Sequence, residues 1–348
     1  MKTIFVTGES GTIPMQIQQL SCESCSDSFY VINSQLTDNF LTIYKRHQSF
    51  KVRKLELDFL QRDFLLDFEY LWKNVNLIIH SGAFVGTDYC TADPTMAIRT
   101  NVEGTQNIVD ICNKFNIPLV YLSTTAILDP LSYSSSIPMT ENTKINPQTI
   151  YGITKYAGEL IVKNTCKTKR IILRPVFGFG NYPDDLHSAL TKAIYVLYRN
   201  LMKCETDLTI LLDKEIKKSY TRVENIASCI LNFANRLLDS DSEFPECSIY
   251  NIGEDYSKAK NWYQLFEIIQ QEFVTRNLCT EDEFHKALEK IKFVPEKDYL
   301  HYHNMDDIRL RSLGLDFSSL SNYVSIEKGI SLTIDSVINN IEMEPYWL

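Results

Sequence analysis

The sequence has no apolar run approaching the ~20 residues that a membrane-spanning helix requires. Nor does it stack positive charge: 35 Lys and Arg stand against 44 Asp and Glu, a formal −9, and basic clusters such as YKRHQ (44–48) and CKTKR (166–170) are short and scattered. Binding to nucleic acid is therefore not expected, because gripping phosphates needs concentrated cations. The chain starts without a basic leader or a small-residue cleavage site and enters a strand-like TIFVTG (3–8), so a soluble cytoplasmic protein with no membrane partner is expected. Its nine cysteines are odd in number and irregular in spacing, which reads as reduced thiols and not as a disulfide framework. Cys22 and Cys25 make a lone C-x-x-C with no second pair, and the six histidines are dispersed, His301 and His303 included, so no metal site is expected. Repeats and low-complexity tracts are also missing, which excludes a solenoid or a disordered interaction tail.

What is present is alternation. The apolar runs TIFVTG (3–8), FYVIN (29–33), FKVRKLELDF (50–59), VNLIIHSGA (75–83), IPLVYLST (117–124) and RIILRP (170–175) look like buried strands. Between them, segments 64–74, 100–115 and 149–165 have helical spacing. Such alternation builds a parallel sheet covered on both faces. After about residue 175 the pattern breaks into helices at 188–202, 262–273 and 281–291 and a strand at 248–253. The expected fold is α/β, a Rossmann-type doubly wound parallel sheet with a smaller mixed α/β C-terminal substrate domain. The sheet domain is placed at 1–175 with 219–255 returning to it, and 176–218 with 256–348 form the second domain.

In TGESGTIP, Gly8 and Gly11 follow a predicted strand and precede a predicted helix. Gly8 allows a tight turn, Gly11 lets the main chain approach a pyrophosphate, and the helix start offers N–H groups and a positive dipole end. The third glycine of such turns is missing. Pro14 stands in its place, tolerable in a first helical turn but bulkier than glycine against the strand. After the second strand, where an acid often holds the ribose of NAD and arginine favours NADP, the sequence reads Asn33-Ser34-Gln35. NAD is the expected cofactor, with NADP left open.

Tyr151 and Lys155 are one helical turn apart in TIYGITKYAGE and so face one ligand. A phenol titrating near ~10 is a poor base at neutral pH, and a nearby ammonium is expected to lower it. The pair then exchanges a proton with a substrate oxygen while the adjacent carbon exchanges hydride with a nicotinamide. Upstream, LVYLSTT ends in hydroxyls suited to hold that oxygen.

Taken in order, the TGxxGxx(G/P) turn, LDF with Asp58, HSGAFV (80–85), NVEGT (101–105), LSTT (122–125), YGITK (151–155), ILRP (172–175), SYTRVENIA (219–227) and LGLDF (313–317) resemble the extended short-chain dehydrogenase/reductase family. Within it they are most similar to the NAD-dependent epimerase/dehydratase group acting on nucleotide sugars. The resemblance implies that Gly8, Glu9, Gly11, Thr12 and Ile13 line the pyrophosphate turn, with Asn33 beyond them. Asp58 and Phe59 would contact the adenine end, and Ser81, Gly82 and Ala83 would pass along the cofactor. Thr124 matches the catalytic Ser/Thr, Tyr151 the acid/base and Lys155 the residue holding the nicotinamide ribose; Asn101 matches a structural asparagine. Thr125 and Lys218 join Thr124 and Tyr151 on the substrate.

Departures from the family pattern narrow the activity. Thr124-Thr125-Ala126 lacks the acid that dehydratases place after the catalytic threonine, so dehydration is disfavoured. RPVFGFG (174–180) is shorter than the usual segment and drops an asparagine that often touches the sugar. Lys218 replaces an arginine that grips the diphosphate, a point charge in place of a planar fork. The resemblance therefore implies an NAD(P)-dependent nucleotide-sugar epimerase or 4-keto-sugar reductase. The alternative is a catalytically altered NAD(P)-binding regulatory protein of the same fold. A homodimer is expected by resemblance, through apolar stripes at Ile108, Val109 and Ile111 on one helix and Tyr156, Leu160 and Ile161 on another.

Overall fold

The structure, a computed structural model, describes residues 2–8, 11–23, 29–34, 43–45, 52–55, 58–132, 137–176, 178–181, 185, 188–204, 206–210, 214–239, 244–293, 308–313, 315, 317–320 and 322–342, with main chain alone over most of 22–57. Glu9, Cys25, His301 and His303 lie outside these residues, and so do the side chains of Cys22 and Asn33.

The strands in chain order are β1 (Lys2–Thr7), β2 (Phe29–Ser34), β3 (Ile43–Lys45), β4 (Val52–Leu55), β5 (Leu77–His80), β6 (Leu119–Leu122), β7 (Arg170–Pro175), β8 (Gly178–Phe179), β9 (Leu208–Ile210), β10 (Thr221–Arg222), β11 (Cys247–Ile252) and β12 (Ile291–Phe293). Eight of them form one sheet in the order β11-β7-β6-β5-β1-β2-β4-β3. It is parallel throughout except where β3 runs antiparallel to β4. The chain winds outward from β1 in both directions, so the topological switch point lies between β1 and β5, and ligands of such sheets bind beyond the strands' carboxyl ends there.

Both faces are covered, which is why the central strands read as continuous apolar runs. In β1, Ile4 and Val6 pack with Ile226, Ile230 and Phe233 of the helix Val223–Leu238. Phe5 points the other way, to Trp72, Ile108 and Val109. The helix Val223–Leu238 and β11, which pairs with β7, both belong to the sheet layer. A second core joins the helices Ala189–Leu201, Trp262–Thr275, Glu281–Leu288 and Ile326–Asn339. Two small parallel pairs, β8 with β10 and β9 with β12, accompany it.

Two expected helices differ in detail. The segment 64–74 breaks at Phe68 into Arg62–Asp67 and Glu69–Trp72, and the Trp72 indole donates to the Leu65 carbonyl at 2.6 Å beside the break. The segment 100–115 opens with a π-turn, Arg99–Glu103, before the helix Gly104–Phe115. Among the described residues no helix is long and apolar enough to cross a membrane.

Candidate active site

The glycine turn lies at the switch point. Gly8 has φ 84°, a conformation that favours glycine, and a Cβ there would sit 2.7 Å from the Cα of Gly82 at the end of β5. Gly11 N donates to Gly8 O at 3.0 Å, and the helix Thr12–Glu23 follows. Pro14 is the third residue of that helix and is buried. First-turn N–H groups have no intrahelical carbonyl to meet, so proline removes no helical bond and subtracts one donor from the set facing a phosphate. With no side chain at 8 or 11, this cradle fits a pyrophosphate.

Thr7 locks the two strand ends together. Its hydroxyl accepts from Ser81 N at 3.1 Å and Gly82 N at 2.8 Å, and Ser81 Oγ donates to Thr7 O. With both lone pairs taken, the hydroxyl proton of Thr7 goes to His80 Nδ1 at 2.8 Å, which makes His80 the Nε2–H tautomer, donating to Thr105 Oγ1 at 3.2 Å. Burial, reinforced by the Lys155 charge, holds His80 neutral, down to about 3.

Phe59 is placed differently from the expectation. Its ring is buried over Gly82 and Gly104, where Cβ atoms would meet it at 2.9 and 2.4 Å, and edge-on to His80. Its side chain therefore builds the core under the cofactor path, and only its main chain is left for an adenine contact. The neighbouring Asp58 is half-buried, with Oδ1 accepting from Leu60 N at 2.8 Å.

The structure brings Thr124, Tyr151 and Lys155 together. Thr149 caps the helix Ile150–Thr165 by accepting from Gly152 N at 3.0 Å. Thr124, extended just after β6, accepts from Ala126 N at 3.1 Å, and its hydroxyl lies near enough to the Tyr151 phenol to favour the phenolate. The expected lowering of that phenol is corrected here: burial pushes it up to about 12, and the Thr124 hydroxyl only partly opposes this. Lys155 is itself buried, its Nζ 4.5 Å above the Tyr121 ring, and burial pulls it down to about 7 against the pull of Glu159. The Tyr121 hydroxyl donates to Lys155 O at 3.3 Å.

Asn101 lies in the π-turn, a backbone irregularity common at functional sites. Its Oδ1 accepts from Phe84 N at 2.7 Å, and Nδ2 donates to Phe84 O and Thr154 Oγ1, each at 3.0 Å. It clamps the loop after β5 to the Tyr151 helix.

Thr125 departs from the substrate role. It is buried, and its hydroxyl donates to Pro175 O at 3.3 Å, so that hydroxyl is used in closing the ends of β6 and β7. Lys218 is 1% exposed, bridges main chain to main chain with Lys260, and is pulled down to about 7 by burial. Nearby, the buried Arg222 binds Glu224, Asn181 Oδ1 at 3.0 Å and Thr333 Oγ1 at 2.9 Å, tying the segment after β8 to the helix Ile326–Asn339. Sequence reasoning missed Thr7, His80, Tyr121, Glu159 and Arg222; only Glu159, one turn beyond Lys155, carried a positional signal. Among the described residues no group of three His, Cys, Asp or Glu side chains is arranged to hold a metal.

The family described as RmlD substrate binding domain matches residues 1–299. A provisionally named UDP-glucose 4-epimerase of Methanocaldococcus jannaschii is 26% identical over 277 residues, 77% of this chain and 82% of that protein. A dTDP-4-dehydrorhamnose reductase of Aggregatibacter actinomycetemcomitans is 25% identical over 224 residues, 64% of this chain and 69% of its own. Among solved structures, the Thermus thermophilus UDP-glucose 4-epimerase in complex with NAD aligns with a TM-score of 0.69 at 16% identity, covering 97% of this chain and 99% of that one. RMD from Pseudomonas aeruginosa with NADPH aligns with a TM-score of 0.70 at 16% identity over 97% and 100%. These structures share the Rossmann-type sheet.

Proposed function

The chain belongs to the RmlD substrate binding domain family, with the fold of the extended short-chain dehydrogenases/reductases, and from that premise we propose that it is an NAD(P)-dependent enzyme acting on a nucleotide sugar, epimerising it or reducing its 4-keto form. The observation that carries this reading is the Thr124–Tyr151–Lys155 set on the carboxyl side of the sheet, beyond a glycine turn shaped for a dinucleotide. A bound nicotinamide dinucleotide supplies hydride exchange at the sugar carbon. Gly8, Gly11, Thr12 and Ile13 hold its pyrophosphate, Ser81 to Ala83 line its path, Asp58 meets its adenine end, and Lys155 holds its ribose. Relatives with NAD and with NADPH support either cofactor.

The chain's own residues handle the proton. Thr124 orients the sugar oxygen and Tyr151 exchanges a proton with it. A phenol protonated at neutral pH can give its proton to a ketone oxygen as that ketone is reduced, and the same contact takes it back in the oxidative direction, so the arrangement serves either half-reaction. Lys218 provides positive charge for the diphosphate from its buried position, and an anion there raises its proton affinity. The reading also includes a homodimer. Ile108, Val109 and Ile111 are spent on the chain's own core, so the contact is drawn instead at Ile98, Ile153 and Leu160, which are 48, 48 and 39% exposed.

The deciding experiment offers purified protein a panel of nucleotide sugars and their 4-keto forms. Consumption of added NAD(P)H in step with a keto sugar supports reduction, and interconversion of sugars with a retained, unconsumed cofactor supports epimerisation. Cofactor binding with no turnover across the panel would return the protein to the regulatory reading.

A further inference from the structure

Glu159 lies one turn beyond Lys155 and two beyond Tyr151 on the same helix, and is 2% exposed. Its carboxylate accepts from Ser123 Oγ at 2.8 Å and from Arg174 Nε at 3.1 Å, with a second guanidinium contact through Nη2. Ser123 directly precedes Thr124, whose hydroxyl lies near the Tyr151 phenol. Arg174, near the end of β7, is as buried as its partner. One carboxylate therefore pairs with Arg174 and ties the ends of β6 and β7 to the catalytic helix, while lying one helical turn from Lys155, near enough for its charge to act on that ammonium.

The Lys155 ammonium lies over the Tyr121 ring of β6, and its charge is felt by His80 of β5 and feels that of Glu159 on its own helix. Cys90, of the helix Thr87–Ala92, acts on Tyr151 and is a buried thiol. His80 is neutral, and burial lifts the Tyr121 phenol well out of range, so the anion among these groups is Glu159. An ammonium out of water needs such a counter-charge.

We propose that Glu159 is a positioning residue of this site: its carboxylate fixes the Thr124 end of β6 against the Tyr151 helix and stands as the counter-charge to the buried Lys155. The catalytic meaning rests on the oxidoreductase reading above, whereas the charge relation stands without it.

The test is the titration of Lys155 in cofactor-free protein labelled with 13Cε-lysine, its resonance assigned by its loss in Lys155→Met. Glu159→Gln lowers the midpoint by about one pH unit or more, the shift expected on removing a close opposite charge. Because this variant strands Arg174 and can fail to fold, the double variant Glu159→Gln with Arg174→Met, which leaves no stranded guanidinium and a lysine free to lose its proton, is measured beside it; its midpoint also falls below wild type. In turnover, the alkaline limb of the pH profile moves down by the same amount. An unchanged Lys155 midpoint in the folded variants overturns the proposal and leaves Glu159 a structural ion pair. Full turnover of Tyr151→Phe would instead sink the catalytic reading, an outcome the Lys155 titration does not depend on.

Discussion

The two ends of the site are made of different material. The cofactor end is main chain, a glycine turn pressed against the Gly82 backbone and locked by one threonine hydroxyl. The proposed substrate end instead draws on buried, ionisable side chains brought from distant parts of the chain, Lys155 and Lys218. A surface made of backbone tolerates no added atom, while one made of buried cations responds to pH.

Gly8→Ala breaks the comparison hardest. A Cβ at positive φ costs about 1–2 kcal/mol, and its clash with the Gly82 main chain adds to this, so calorimetry should show cofactor affinity falling at least ~100-fold together with a lower melting temperature. A variant that binds NAD(P)H normally would mean that the turn is not the cofactor cradle.

At the substrate end the effect depends on pH. Burial pulls Lys218 down to about 7 in the fold, below its unfolded value, so above that pH the unfolded chain holds a proton the fold has lost. Stability therefore rises with pH from about 7 toward the ordinary lysine range, by at most ~1.4 kcal/mol per unit for this group, and Lys155 acts with the same sign. Lys218→Met should raise the melting temperature at pH 7 and flatten that rise. In wild type, nucleotide-diphosphate affinity should fall up to ~10-fold per unit above pH 7, as the ammonium that meets the phosphates is lost. A pH-independent affinity would remove Lys218 from the ligand.

The smallest effect is expected at Pro14. Pro14→Gly should change stability by no more than ~1 kcal/mol and leave cofactor affinity within a few-fold, because the proline sits in the first helical turn and breaks no helical bond. A large gain in affinity on that substitution would show the missing glycine to be a real defect.

The same division explains what the sequence disclosed. The alternation of apolar runs was enough for a parallel sheet because the central strands are buried on both faces, and the glycine turn was legible because only glycine serves at Gly8. Tyr151 and Lys155 were legible because helical spacing alone puts them on one face. The protonation of Tyr151 was not, since it depends on burial contributed by other segments, and neither was Phe59, whose ring fills space left by two glycines remote in sequence. Thr125 looked like part of a hydroxyl cluster until the end of β7 came to accept its proton. The helix Ile326–Asn339 carries helical spacing in Ile330, Ile334 and Val337 behind the Ser325 cap, whereas the Arg222 contacts to it are long-range and leave no local pattern.

The central claim is that Tyr151 handles the proton in a nicotinamide-dependent reaction at a sugar carbon. Wild-type protein and Tyr151→Phe are mixed with NAD(P)H and a 4-keto nucleotide sugar, and the loss of reduced nicotinamide absorbance is followed while cofactor binding is measured separately. The account predicts oxidation by wild type and a rate at least ~100-fold lower in the variant, with cofactor affinity unchanged. Equal rates for the two proteins would contradict it.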